Sequence, residues 1–190
     1  MTMLILGLVL FLGIHSVSLA APSWRDAQVM RHGELPWKAV YALIAIAGFV
    51  LLIVGYGEAR EAPIPLYDAP RWTRHIALLL MLPVFPLLLG AYLPGRIKAL
   101  TKHPMLAAVK LWALAHLLAN GTLADVLLFG AFLAWAVADR ISLKHRPPRP
   151  IPAAPPRPMN DLISIVAGLV IYGAFVTWGH AWLIGVSPLG

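Results

Sequence analysis

Residues 102–139 read KHPMLAAVKLWALAHLLANGTLADVLLFGAFLAWAVAD. Two apolar arms flank a single turn signal, Asn120-Gly121. The stretch predicts a helical hairpin inside a membrane. Folding the arms about that turn sets His116 opposite Asp125 and Lys102 opposite Asp139, while Lys110 faces Ala131. An Asp near the middle of a membrane helix costs roughly 2.5–3.5 kcal/mol on the insertion scale. Ionisable groups at that depth therefore tend to have a partner and a function. His116 with Asp125 is the expected chemical centre. A carboxylate accepting Nδ1–H would orient the imidazole and leave Nε2 as a ligand or base. The plainer alternative is a buried pair that only locks the hairpin.

Working outward, the chain has 190 residues, of which 60% are hydrophobic and 12% charged. That balance places it among polytopic membrane proteins, with the lipid bilayer as its first partner. The expected fold is all-α, a single membrane domain over residues 1–190 built as a bundle of about six transmembrane helices. The formal net charge is +7, but the basic residues sit in loops between apolar runs. They form no basic face or motif of the kind that recognises nucleic acid. The chain has no cysteine, which excludes disulfides, thiolate metal sites and a cysteine nucleophile. No zinc spacing, phosphate-cradling glycine loop or nucleophile elbow occurs.

Helices are expected at about 3–20, 37–56, 73–93, 104–119, 122–139 and 162–186. The first ends Ser18-Leu19-Ala20-Ala21, which resembles a cleavage site, but Met1-Thr2-Met3 lacks a basic start, so a retained helix is expected. Residues 21–36 read as a polar loop. Pro83 and Pro86 interrupt the third helix and free backbone carbonyls there. The fourth, at about 104–119, is shorter than the roughly 20 residues that span a bilayer. Gly130, Ala134 and Ala138 offer the fifth a small-residue face for close packing. Residues 140–160 are Pro-rich and basic, a semi-rigid linker. Six helices, with Lys38 counted in the first loop, put eleven of the 15 Lys and Arg residues in the first, third and fifth loops. The positive-inside rule makes that side cytoplasmic and turns both termini away from it.

His15 is the one strongly polar side chain of the first helix and, with His116, a candidate for function. His75 and His180 lie near tryptophans at helix ends and read as headgroup-level residues. Trp112, Trp135, Trp178 and Trp182 are candidates for the wall of a cofactor pocket. His103, at a helix start, is a boundary residue or an anion contact.

The segments Lys102-His103-Pro104-Met105 and Leu111-Trp112-Ala113-Leu114-Ala115-His116, with Ala134-Trp135-Ala136-Val137-Ala138-Asp139-Arg140 and Leu12-Gly13-Ile14-His15-Ser16, resemble the NnrU family over essentially the whole chain. That resemblance implies a protein of the bacterial inner (cytoplasmic) membrane linked to nitrite and nitric oxide metabolism, that is, denitrification. The family is similar to 15-cis-zeta-carotene isomerase, which holds a haem b between two histidines. By that resemblance His15 and His116 are the iron ligands; the hairpin reading adds Asp125, and the tryptophan wall adds Trp112, in support of the site. His75 and His180 are the alternate partners for His116, sharing its side of the membrane. The isomerase has a cysteine three residues before its second histidine, where this chain has Ala113. Bis-histidine ligation needs only two imidazoles. The Lys-His-Pro segment is also similar to the Arg-His-Pro motif of isoprenylcysteine methyltransferases, which bind S-adenosylmethionine, but their acidic C-terminal residues are missing here. Three functions follow from these resemblances. One is a haem b protein with redox or isomerase chemistry on an apolar small molecule. Another is a non-enzymatic partner of a nitrite or nitric oxide reductase. The third is a methyltransferase.

Overall fold

A computed structural model describes residues 1–146, 149 and 151–189. Pro147, Pro148 and Pro150 of the expected linker, and the terminal Gly190, lie outside the described residues. In chain order the helices are α1 (Thr2–Ala20), α2 (Pro22–His32), α3 (Glu34–Glu61), α4 (Thr73–Met81), α5 (Val84–Tyr92), α6 (Arg96–Thr101), α7 (Pro104–Ala119), α8 (Leu123–Ser142), α9 (Asn160–Ala174) and α10 (His180–Ile184). A π-helical turn, Phe175–Gly179, joins the last two. Among the described residues the fold is all-α, as expected. The one strand-like feature is an isolated bridge between Pro65 and Thr122.

Among the described residues four segments are long and apolar enough to cross a membrane: Thr2–Ala20, Glu34–Glu61, Thr73–Tyr92 and Asn160–Ile184. Helix α7 is apolar but has only 16 residues. Helix α8 has 20 but carries Asp125, Asp139 and Arg140. Large apolar side chains such as Val9, Leu43, Leu79 and Val170 are more than half exposed. In water such a surface would be costly; against lipid it is the expected outer face.

The helices gather into two compact units. One comprises Met1–Tyr67 with Gly121–Ser142, the other Asp68–Asn120 with Leu143–Gly190. The two arms of the expected hairpin thus belong to different units, α8 to the first and α7 to the second.

In the first unit, α1 packs along α3, and α8 lies against both. Leu4, Leu8, Leu52, Ala59 and Ala124 form its core, ringed by Phe11, Tyr56, Leu128 and Phe132. The α1–α3 contact is backbone against backbone. A Cβ on Gly48 would lie 2.6 Å from the Phe11 nitrogen, and one on Gly7 2.6 Å from that of Leu52. Small residues allow this approach, as they do in many membrane helix pairs. The small-residue face expected on α8 has no such role. A Cβ on Gly130 would meet nothing within 4 Å, and Ala134 and Ala138 are exposed.

The polar stretch 21–36 is mostly helical, a correction to the expected loop. Pro22 stands at the start of α2, where its fixed φ suits a helix, and Arg31 lies in the last turn, where a cation faces the negative end of the dipole. Helix α3 outruns its apolar core because Glu58, Arg60 and Glu61 are good helix formers, and it stops ahead of Pro63.

The link into α8 is not a tight turn. Asn120 is extended, and the Gly121 carbonyl accepts from the Leu66 and Tyr67 N–H groups at 2.8 and 3.1 Å. The Leu123 N–H donates to the Ile64 carbonyl at 2.8 Å. Gly121 lies so close to the Tyr67 carbonyl that a Cβ would overlap it.

In the second unit, α5 packs on α7 and α9, and α4 on α7. Val84, Leu87 and Ala108 are its core, with Leu111 and Trp112 against them. The prolines break the third expected helix into α4 and α5, as their chemistry requires. At that break the Tyr172 hydroxyl donates to the Leu78 carbonyl at 2.9 Å. The basic loop 94–103 folds into α6, whose first N–H groups, on Arg96 and Ile97, donate to the Asp161 carboxylate at 2.7 and 2.9 Å. Asn160 Nδ2 donates to the Pro94 and Pro155 carbonyls. The Ala154 N–H donates to the Tyr92 carbonyl at 2.9 Å, so the described end of the linker is tied down.

Candidate functional site

His15 lies in the first unit, in the penultimate turn of α1. Its Nδ1 is 2.6 Å from the Phe11 carbonyl oxygen. A carbonyl only accepts, so Nδ1 carries the proton and Nε2 the lone pair. The ring stacks on Phe11 at 4.2 Å between centroids and meets Tyr41 and Trp135 edge-on at 5.3 and 5.9 Å. Trp135 Nε1 is shielded from solvent with no hydrogen-bond partner among the described residues. A buried orphan N–H costs free energy, so it marks a place where a polar group would be bound.

His116 lies in the second unit, in the last turn of α7. Its Nδ1 donates to the Trp112 carbonyl at 2.8 Å, again assigning the lone pair to Nε2. The Trp112 ring is 5.4 Å away, and Ala113 and Ala115 beside it are fully buried.

His180, in the same unit, opens α10. Its Nδ1 donates to the Val186 carbonyl at 2.6 Å. That carbonyl reaches back because Gly185, at φ +77°, closes α10 in the left-handed conformation and reverses the chain. Phe175 meets the ring edge-on at 5.6 Å. The wider π turn is what sets a residue five positions earlier one turn below His180. The His116 and His180 rings stand 6.5 Å apart and 21° from parallel.

His15, His116 and His180 therefore share one design. Each has an aromatic residue one helical turn before it: Phe11, Trp112 and Phe175. Each commits Nδ1–H to a main-chain carbonyl and turns Nε2 into the acceptor or ligand nitrogen. The spacing aromatic-x-x-x-His, present twice in the sequence, was the available signal for it.

Asp125 is placed differently from expectation. Its Oδ1 accepts from the Tyr56 hydroxyl at 2.6 Å, and its Oδ2 from the Thr122 N–H and hydroxyl at 2.9 and 2.6 Å. The Asp125 N–H faces the Thr122 hydroxyl at 3.3 Å. This is a capping box: Thr122 caps α8 and the acid three residues on closes it. The carboxylate is buried and spent on the start of its own helix. The orienting bond on His116 Nδ1 runs to the Trp112 carbonyl.

His75, in the first turn of α4, is exposed and makes no ring contact among the described residues. Trp178 and Trp182 are about two-thirds exposed and stack on each other at 5.5 Å. Of the four tryptophans considered as pocket walls, only Trp112 and Trp135 stand beside a histidine. No group of three or more His, Cys, Asp or Glu that would hold a metal ion by itself occurs among the described residues.

Long apolar helices, lipid-suited outer faces and imidazoles set among them define an all-α membrane protein. The family model described as NnrU protein matches residues 3–188, and the chain belongs to the NnrU family. No curated protein and no solved structure matches it.

Proposed function

We propose that this NnrU-family protein is a haem b protein of the bacterial inner membrane, acting in nitrite and nitric oxide metabolism, in which His116 would hold the iron. The observation that carries the reading is the shared setting of His116 and His180. Metal-ligating histidines typically donate their other ring N–H to a carbonyl or carboxylate, which fixes tautomer and orientation. Both do so here, through Trp112 and Val186. Two imidazoles on opposite sides of one metal have ring centres roughly 6 Å apart, given metal–nitrogen bonds of about 2.0–2.1 Å. The rings of this pair lie 6.5 Å apart and stacked at 21°, so joint ligation requires them to turn edge-on with Nε2 facing Nε2. A donor set of neutral imidazoles without thiolate suits bis-histidine haem.

The resemblance to the isomerase offers His15 as the second ligand, and His15 has the same Nδ1 arrangement through Phe11. His116 is common to both pairings. When bound, the haem supplies one-electron chemistry. The chain fixes the imidazole tautomers through main-chain carbonyls and walls the rings with Phe175 and Trp112. Substrates reaching such a site through the bilayer are small and apolar, nitric oxide or a polyene among them.

The test is purification from haem-replete cells in mild detergent. One haem per chain, with a Soret band, supports the reading. A colourless protein recovered with nitrite or nitric oxide reductase subunits contradicts it and makes the protein their partner.

A further inference from the structure

The α1–α3 pair of the first unit ends in a cavity of about 240 Å³ lined by Val17, Ser18, Arg25, Trp37, Lys38 and Tyr41. Its position follows from the helices. Val17 and Ser18 lie in the last turn of α1, Arg25 in the first turn of α2, and Trp37, Lys38 and Tyr41 in the first two turns of α3. Apolar span meets polar segment there, at the depth of lipid headgroups, where Trp, Tyr, Lys and Arg gather. Trp24 packs edge-on to Trp37 at 5.9 Å and adds to this belt.

The cavity wall carries two cations and no carboxylate. Arg25 is held in place rather than trailing in solvent: its guanidinium lies 5.9 Å from the Trp37 ring centre, and its side chain is 22% exposed. It donates one side-chain hydrogen bond, from Nη1 to Asp26 at 2.9 Å. Its remaining guanidinium N–H groups have no protein acceptor among the described residues. Lys38 pairs with Glu34 at 2.8 Å, a contact open to water on both sides and therefore weak. A planar guanidinium with unused donors, beside an ammonium and a hydroxyl, matches the tetrahedral oxygens of a phosphate. Val17 and the Trp37 and Tyr41 rings give the same cavity apolar surface, which an inorganic ion does not use and a lipid does.

We propose that this cavity binds the phosphodiester of an anionic phospholipid, with Arg25 and Lys38 holding the phosphate and Val17, Trp37 and Tyr41 packing against the glycerol and upper acyl chains. The site shares Tyr41 with the surroundings of His15, whose ring meets it edge-on at 5.3 Å, but its two cations touch no histidine among the described residues.

Native mass spectrometry of the full-length protein, delipidated in detergent, tests it. The expected result is saturable retention of one phosphatidylglycerol, with phosphatidylcholine held more weakly. Arg25→Gln with Lys38→Gln should weaken retention at least about tenfold, the scale of one charge-assisted hydrogen bond. Arg25→Lys with native Lys38 should restore most of it, which separates loss of the site from loss of the fold. Millimolar inorganic phosphate should leave the lipid in place. Displacement by inorganic phosphate at that concentration overturns the lipid assignment and makes free phosphate the ligand. Equal retention by wild type and the double glutamine variant overturns the site itself.

Discussion

His116 and His180, 64 positions apart in the chain, bring their rings to 6.5 Å and 21° from parallel. The approach depends on a local device at the second histidine. The π turn before it sets Phe175 under the ring, and Gly185 after it folds the Val186 carbonyl back onto Nδ1. Gly185→Ala places a Cβ at φ +77°, a strain of roughly 1–2 kcal/mol. The account predicts weaker haem retention in that variant with little change in helix content. Retention equal to wild type would show that the Val186 contact does not position His180.

Asp125 caps its own helix through Thr122 and Tyr56. Asp125→Ala leaves the Tyr56 hydroxyl and two Thr122 donors unmatched and should cost about 1–3 kcal/mol. Its effect should couple to Tyr56→Phe in a double-mutant cycle by roughly 0.5–3 kcal/mol. The absorbance maximum of bound haem should not move. A shifted maximum with unchanged thermal stability would return the carboxylate to the histidine.

The break at Pro83 is served by a side chain of α9. Tyr172→Phe removes the donor to the Leu78 carbonyl, and a hydrogen bond of that kind contributes about 0.5–1.5 kcal/mol net. A lower melting temperature in detergent is expected. No change would mean that water replaces the hydroxyl.

Helix packing gives a contrast within one protein. Gly48→Ala drives a Cβ to 2.6 Å from the Phe11 nitrogen and must part α1 from α3. Overpacking of this sort costs typically 1–3 kcal/mol. Gly130→Ala meets open space and should be neutral or stabilising, since Gly inside a helix is worth about 0.5–1 kcal/mol less than Ala. Thermal melts of the two variants should rank them in that order, and the reverse would refute the packing described.

Much of this was legible before any coordinates. Apolar runs, aromatic ends and prolines located the long helices, because the bilayer demands about 20 apolar residues per span. What escaped was local chemistry that hydropathy does not register. Thr122-Leu123-Ala124-Asp125 is a capping signal, yet it lies inside an apolar stretch, where a lone acid reads as a buried partner for the nearest histidine. Asn120-Gly121 resembles a turn, but its glycine serves the close pass of the Tyr67 carbonyl. The segment 21–36 looks like a loop by polarity, although Pro22 and the terminal Arg31 and His32 are helix-boundary residues. His116 and His180 belong to distant segments, and only the packing of α5 between α7 and α9, set by tertiary contacts, gathers them into one unit.

The central claim is that His116 ligates iron, and the dithionite-reduced minus oxidised spectrum of the purified protein tests it most directly. Wild type should show the sharp α and Soret bands of six-coordinate, bis-histidine haem. His116→Ala should lose them at equal protein recovery, and one of His180→Ala or His15→Ala should convert them to a five-coordinate form. A His116→Ala protein with a spectrum identical to wild type, or a wild type with no bands at all, would contradict the account.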